Sequence, residues 1–212
     1  VLYLSGCLPS KPSIRQLLLD NNVGLLLTHL SQRNLPKDEN WIWAADNACF
    51  ASKWESSAWL RWLEKMPNPN QALFATVPDA VGDHSKTLEM WPKWFKQVKD
   101  LGFKPAFILQ NGCTIDEVPW DECDAVFIGG TTEWKISSQS QAICQEAKKR
   151  SKWVHMGRVN SFRRMTIARD FGCDSVDGTY LAFAPDFNAL RLINMINRIE
   201  EEPSLFECQE AW

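Results

Sequence analysis

The chain has 212 residues, with 23 Lys plus Arg against 26 Asp plus Glu and a formal net charge of -3. That length and a hydrophobic share of 45% suit one globular domain with a real core, while the charge balance is not that of a constitutive nucleic-acid coat, so a polynucleotide would need a local basic patch. No apolar run reaches the ~18 residues of a membrane span, and seven Cys without a CxxC pair, with three His far apart, argue against a structural zinc site and for reduced thiols in a cytoplasm.

Residues 1–5 open the chain with an apolar run that reads as a first strand rather than a signal peptide. Further short apolar runs follow at 23–28, 41–45, 72–77, 105–109, 125–128, 153–156 and 173–176. They are apolar on both faces, as buried parallel strands are. Between them lie stretches of helical periodicity at 13–19, 53–65, 85–101, 138–150, 161–171 and 187–199. The second of these carries Trp54, Ala58, Trp59 and Trp62 on one side, and the last Leu190, Ile193 and Ile196. Ser85 reads as the N-cap of the third. The gaps after the second and fifth strands read as loops. Strand and helix in alternation, eight times, predict an α/β fold, a compact (β/α)8 TIM-type barrel over residues 1–200, with an acidic tail at 201–212. Barrels of this kind typically run to about 250 residues. An open doubly wound sheet is the rival, but no GxGxxG or GxxxxGK[ST] follows the first strand, so no nucleotide cofactor is expected.

A barrel of this kind does its chemistry where strands end and loops begin. Those places carry Asp46 and Asn47, then Asp79 and Asp83, then Gln110 and Asn111. Gly129, Gly130 and Glu133 follow, then His155, Gly157 and Arg158, and finally Asp174 and Asp177. Singly, such residues are turn formers, helix caps or a hydrogen-bonded core histidine. Together, carboxylates converging on one mouth suit nucleophilic and acid–base work: one attacks an anomeric carbon, another moves the proton of a departing or arriving base. Asp79 and Gln110 offer hydrogen-bond groups suited to a purine edge, Phe50 a stacking face, and Gly129 and Gly130 a close backbone approach. Gly178, directly after Asp177, reads as room for a sugar. Trp134 and Trp153 are candidate stacking platforms, with core burial the alternative. Arg158, Arg163 and Arg164 are candidate phosphate contacts, whereas the basic run at 148–152 reads as a solvated helix face.

These stretches resemble the tRNA-guanine transglycosylase superfamily, including its phage and bacterial members that place 7-deazaguanines in DNA. DNACF, starting at Asp46, is similar to that family's DSGGFQ; VPD ends in Asp79; LQNG resembles VQGG at Gln110; IGGTTE resembles GGLAVGE at Gly129, Gly130 and Glu133; HMGRV resembles LMGVG at Met156; DSVDG resembles DMFDCV at Asp177. The resemblance implies a (β/α)8 barrel that exchanges guanine for a 7-deazaguanine without a redox cofactor or other cofactor. It makes Asp177 the nucleophile, Asp46 the second catalytic acid, and Phe50, Asp79, Gln110, Gly129, Gly130 and Met156 the base-binding residues. The zinc-binding segment that follows the last strand in the tRNA enzymes has no counterpart, which favours DNA over tRNA as partner. The expected location is a cytoplasm (the host's, for a phage-encoded relative), and a homodimer or an accessory protein is the expected further partner. Two alternatives share the frame: an N-glycosidase, in which water replaces the incoming base, and a non-catalytic nucleic-acid-binding barrel.

Overall fold

The computed structural model describes residues 1–31, 34–36, 40–51 and 55–201. Eight parallel strands, β1 (Leu2–Ser5), β2 (Val23–Thr28), β3 (Trp43–Asp46), β4 (Ala75–Thr76), β5 (Pro105–Leu109), β6 (Ala125–Ile128), β7 (Trp153–Met156) and β8 (Ser175–Gly178), pair in chain order. β8 pairs back onto β1, Leu4 opposite Asp177, and closes the barrel. Around it run α1 (Pro12–Leu19), α2 (Ser56–Leu63), α3 (His84–Asp100), α4 (Thr132–Lys135), α5 (Ser138–Lys149), α6 (Phe162–Asp170) and α7 (Pro185–Glu201). The chain is therefore a (β/α)8 barrel, as its strand rhythm predicts. The tail expected at 201–212 lies, beyond Glu201, outside the described residues, as does Trp54.

Strand alternation sorts the apolar side chains into two cores. Leu4, Leu26, Ala44, Phe74, Ala106 and Ala125 fill the barrel interior. Val23, Leu25 and Leu27, with Val126 and Ile128, point outward and pack in the large core shared with the helices. Each such side chain, fully buried, contributes about 1.5–3 kcal/mol. Both faces of a strand are thus covered, which is why its sequence shows no polar alternation.

Several local expectations are corrected. The N-cap of α3 is Asp83, whose carboxylate accepts from the Lys86 N–H at 3.0 Å; Ser85 lies inside the helix. A carboxylate at that place also meets the positive end of the helix dipole. Leu190, expected on the apolar side of α7, is exposed, while Ile193 and Ile196 are buried. β8 begins at Ser175, two residues later than its apolar run suggests; at the base of the strand the Asp174 carboxylate takes the Val154 N–H at 2.8 Å and the Lys148 ammonium at 2.5 Å. Among the described residues no helix is long and apolar enough to cross a membrane.

Candidate active site

A cavity of about 210 Å³ opens at the C-terminal ends of the strands. Asp46 reaches it from the end of β3, Asp79 from the loop after β4, Gln110 from the end of β5 and Asp177 from β8. Gly129, Gly130 and Arg158 complete its wall, and Phe50 stands at its rim, 73% exposed. The expected catalytic residues, and most of the expected base-binding residues, are thus drawn into one place.

Local chain geometry holds each of them. Asp46 Oδ1 accepts from the Thr76 hydroxyl at 3.0 Å and Oδ2 from the Ala48 N–H at 3.2 Å. The turn that makes this possible puts Ala48 at φ +58°, a left-handed conformation that costs a non-glycine residue about 1–3 kcal/mol. Burial, then the negative charges of Asp177 and Asp79, raise the Asp46 pKa from 3.8 to about 7. Asp79 is also pushed up by burial, against hydrogen bonds from Asn47 and Gln110 that favour its charged form. Gln110 donates to Asp79 at 2.6 Å, and its carbonyl oxygen accepts from the N–H groups of Gly82 and Gly130 at 2.9 and 3.1 Å. Its amide is thereby oriented, nitrogen toward Asp79. The Gly130 N–H, expected to approach the base, is engaged by Gln110.

Asp177 is held from below. Its Oδ1 lies 3.0 Å from His155 Nε2 and accepts from the Arg158 N–H at 3.3 Å. Arg158 in turn donates to the Gly130 carbonyl at 2.6 Å and lies 5.3 Å from the Phe50 ring centroid, bridging the rim. Arg164 donates to the Arg158 carbonyl at 3.4 Å, and Arg163 is exposed on the first turn of α6. These three arginines therefore gather beside β7. The basic run 148–152 lies at the other end of the barrel, where α5 returns to the start of β7, with Lys148 paired to Asp174 and Arg150 to Glu146.

Three further expectations fail here. Met156 points away from the cavity into the helix-facing core, since strand alternation turns His155 inward and Met156 outward. Glu133 is exposed; the side chain that enters the cavity from this segment is Lys135. It stands five residues after Gly130, as the Glu of GGLAVGE does after its second glycine, so a stricter count would have found the position. Lys135 is 3% exposed and donates to the Gly157 carbonyl at 2.5 Å. Burial and the nearby Arg158 lower its pKa to about 8, against the opposing pull of Asp177. For Trp134 and Trp153 the core-burial reading holds: Trp134 is buried, and Trp153 is half-buried against the barrel interior with its indole bonded to Ser175.

The third is Gly178. The space its missing side chain leaves is filled by protein: a Cβ there would lie 2.4 Å from Asn160 Oδ1, 2.6 Å from the Val159 carbonyl and 2.7 Å from Tyr3 Oη. That space is therefore not open to a sugar. Gly178→Ala is accordingly expected to destabilise the fold by about 1–3 kcal/mol, the usual cost of overpacking. Urea denaturation checks this, and an unchanged midpoint would show the contact to be soft.

Among the described residues no group of three or more His, Cys, Asp or Glu side chains is placed to hold a metal ion. No family model and no curated protein matches the chain. Solved structures do. The tryptophan synthase α2β2 complex from Pyrococcus furiosus aligns at 12% identity and a TM-score of 0.58, over 94% of this chain and 96% of that one. The native KDPGal structure aligns at 11% identity and a TM-score of 0.53, over 94% and 93%. Tryptophan synthase from M. tuberculosis aligns at 13% identity and a TM-score of 0.53, over 93% and 89%. At these identities the likeness is one of fold.

Proposed function

We propose that the protein exchanges guanine in a polynucleotide, DNA in the first instance, for a 7-deazaguanine through a covalent ester on Asp177. The observation that carries this reading is the convergence of Asp46, Asp79, Asp177 and Gln110 on one small cavity. Its volume of about 210 Å³ is below the ~300–1,000 Å³ usual for drug-sized ligands and suits a single flipped base. The resemblance to the transglycosylase motifs adds the order in which these residues occur.

In the first half-reaction a carboxylate oxygen of Asp177 attacks C1′. The C1′–N9 bond breaks, its electron pair leaves with guanine, and Asp46 supplies the proton. In the second, the incoming base gives its N9 proton to Asp46 and attacks C1′. The C1′–O bond then breaks and its electron pair returns to Asp177. Asp79 and Gln110 hold the base edge, Phe50 and Arg158 the rim, and Arg163 and Arg164 the flanking phosphates. Mass spectrometry of nucleosides from DNA and tRNA incubated with the protein and 7-deazaguanines tests the reaction. Exchange in DNA is expected; free guanine without incorporation of another base would instead mark an N-glycosidase, and no base change in either polynucleotide would reject both. Asp79→Asn is expected to narrow the difference in kcat/KM between guanine and its 7-deaza analogues by about tenfold before it abolishes the adduct. An unchanged preference would remove Asp79 from base reading.

The buried amine of Lys135 favours a second reading, attack of the neutral amine on a carbonyl substrate to form an imine, the carbonyl oxygen leaving as water. Borohydride reduction with small aldehydes and ketones separates the two, since only an imine leaves a reduced, substrate-bearing Lys135.

A further inference from the structure

Beneath the cavity floor a chain of polar groups leads to Asp177. Trp153 Nε1 donates to Ser175 Oγ at 2.8 Å, Ser175 Oγ lies 2.8 Å from His155 Nδ1, and His155 Nε2 lies 3.0 Å from Asp177 Oδ1. His155 and Ser175 are fully buried, and the imidazole sits against Phe74 and Phe127 at centroid distances of 5.2 and 4.5 Å. The indole can only donate, so it occupies one lone pair of Ser175. Toward a carboxylate the imidazole donates from Nε2; in its neutral form Nδ1 is then an acceptor, which the Ser175 hydroxyl proton fills. The Arg158 N–H is a second donor to the same Asp177 oxygen, and Gly157 keeps the space open, since a Cβ there would lie 2.6 Å from the Phe127 ring and 3.3 Å from Oδ1. Oδ2 has no partner among the described residues, and Asp177 lines the cavity.

We propose that His155 is a positioning residue: held by Trp153 and Ser175 with its proton on Nε2, it makes Oδ2 the attacking oxygen of Asp177 and promotes release of the covalent ester. This rests on Asp177 being the nucleophile. A hydrogen bond to a full carboxylate charge is stronger than one to an ester carbonyl. His155 therefore favours the free carboxylate over the ester. It restrains the first half-reaction and accelerates the second, in which the C1′–Oδ2 electron pair returns to the carboxylate and charge spreads onto Oδ1. Its removal should make the covalent complex accumulate while turnover falls, the opposite of what simple damage to the site produces.

The experiment follows both half-reactions in single turnover, with a guanine-containing DNA duplex or tRNA and radiolabelled guanine as the incoming base. In His155→Leu, release of the adduct is expected to slow by about 10- to 100-fold, the worth of a hydrogen bond to a charged group, with formation much less affected and more adduct on a denaturing gel. In His155→Gln, whose Nε2 replaces the ring donor, release should recover most of that loss, and Ser175→Ala should shift the balance in the direction of His155→Leu by a smaller factor. Nitrogen-15 NMR of the free wild-type protein should show His155 protonated on Nε2. Parallel slowing of formation and release in His155→Leu, no recovery in His155→Gln, or a proton on Nδ1 alone overturns the proposal while leaving the Asp177 reading intact. Wild-type protein that forms no adduct and exchanges no guanine with either polynucleotide removes the Asp177 reading and this proposal with it.

Discussion

Asp177→Asn is expected to abolish both guanine exchange and any covalent complex with nucleic acid, while the barrel stays folded. An amide has nearly the shape of a carboxylate but does not readily form an ester at C1′. Its surroundings also tell which way the new amide would turn. His155 Nε2 and the Arg158 N–H both address Oδ1, so the amide oxygen keeps that place and the NH₂ group faces the cavity. Binding of the polynucleotide, carried by the rim, should survive. Loss of an essential nucleophile typically lowers kcat by roughly 10³–10⁶-fold. Asp174→Asn is the control. That side chain is tied to Lys148 and the Val154 N–H at the foot of the strand, so its replacement should lower thermal stability and leave the adduct in place. Denaturing electrophoresis with labelled DNA or tRNA, followed by peptide mapping, decides the matter. An adduct mapped to Asp46, or undiminished exchange by Asp177→Asn, would overturn the division of labour between the carboxylates.

The barrel was legible because its strands are buried on both faces and so appear as unbroken apolar runs, with helical periodicity between them. Strand-end position then located Asp46, Asp79, Gln110 and Asp177 with no contact information. The hidden features depend on direction rather than position. Met156 and His155 are neighbours in one apolar run, and only the strand's placement in the barrel turns the second toward Asp177 and the first toward the helices. Lys135 resembles any exposed helical lysine until the four-residue α4, too short to show periodicity, tucks it beneath the Gly157 carbonyl. Gly178 shows the converse error: a glycine beside a nucleophile suggests space for substrate, but here the space belongs to Asn160, Val159 and Tyr3. Ala48 occupies a glycine position of the resembling motif and still adopts the left-handed turn, because bonds from Ala48 N–H to Asp46 and from Cys49 N–H to Asn47 close it from both sides.

Adduct formation is expected to fall as pH rises through about 7, and Asp46→Asn to lose that dependence together with about 10²–10⁴-fold of the exchange rate, the usual share of general acid–base catalysis. The acid that protonates departing guanine must carry its proton in the free protein. Asp46 does so up to near neutrality because burial and the charges of Asp177 and Asp79 oppose its ionisation. Ester formation removes the charge of Asp177. Asp46 then ionises more easily, which favours passing its proton to the leaving base at the moment it is needed. Release of the ester restores the charge of Asp177 and with it the affinity of Asp46 for the proton of the incoming base. The same shift bears on stability with a definite sign. Between pH 3.8 and about 7 the folded chain holds a proton on Asp46 that the unfolded chain has released, so this group's contribution to stability declines as pH rises across that window and is level above it. The amide introduced by Asp46→Asn can keep both local bonds, its oxygen accepting the Ala48 N–H and its NH₂ group donating to Thr76. The Asp46→Asn protein should therefore lack the decline and melt higher than the wild type, relative to their values near pH 4, once the pH exceeds about 7. Single-turnover adduct formation and melting curves, measured for both proteins from about pH 4 to pH 9, test the two consequences together. A wild-type adduct rate that rises through neutrality would show that Asp46 enters the reaction already ionised, and would move the proton donor for guanine to another group in the cavity.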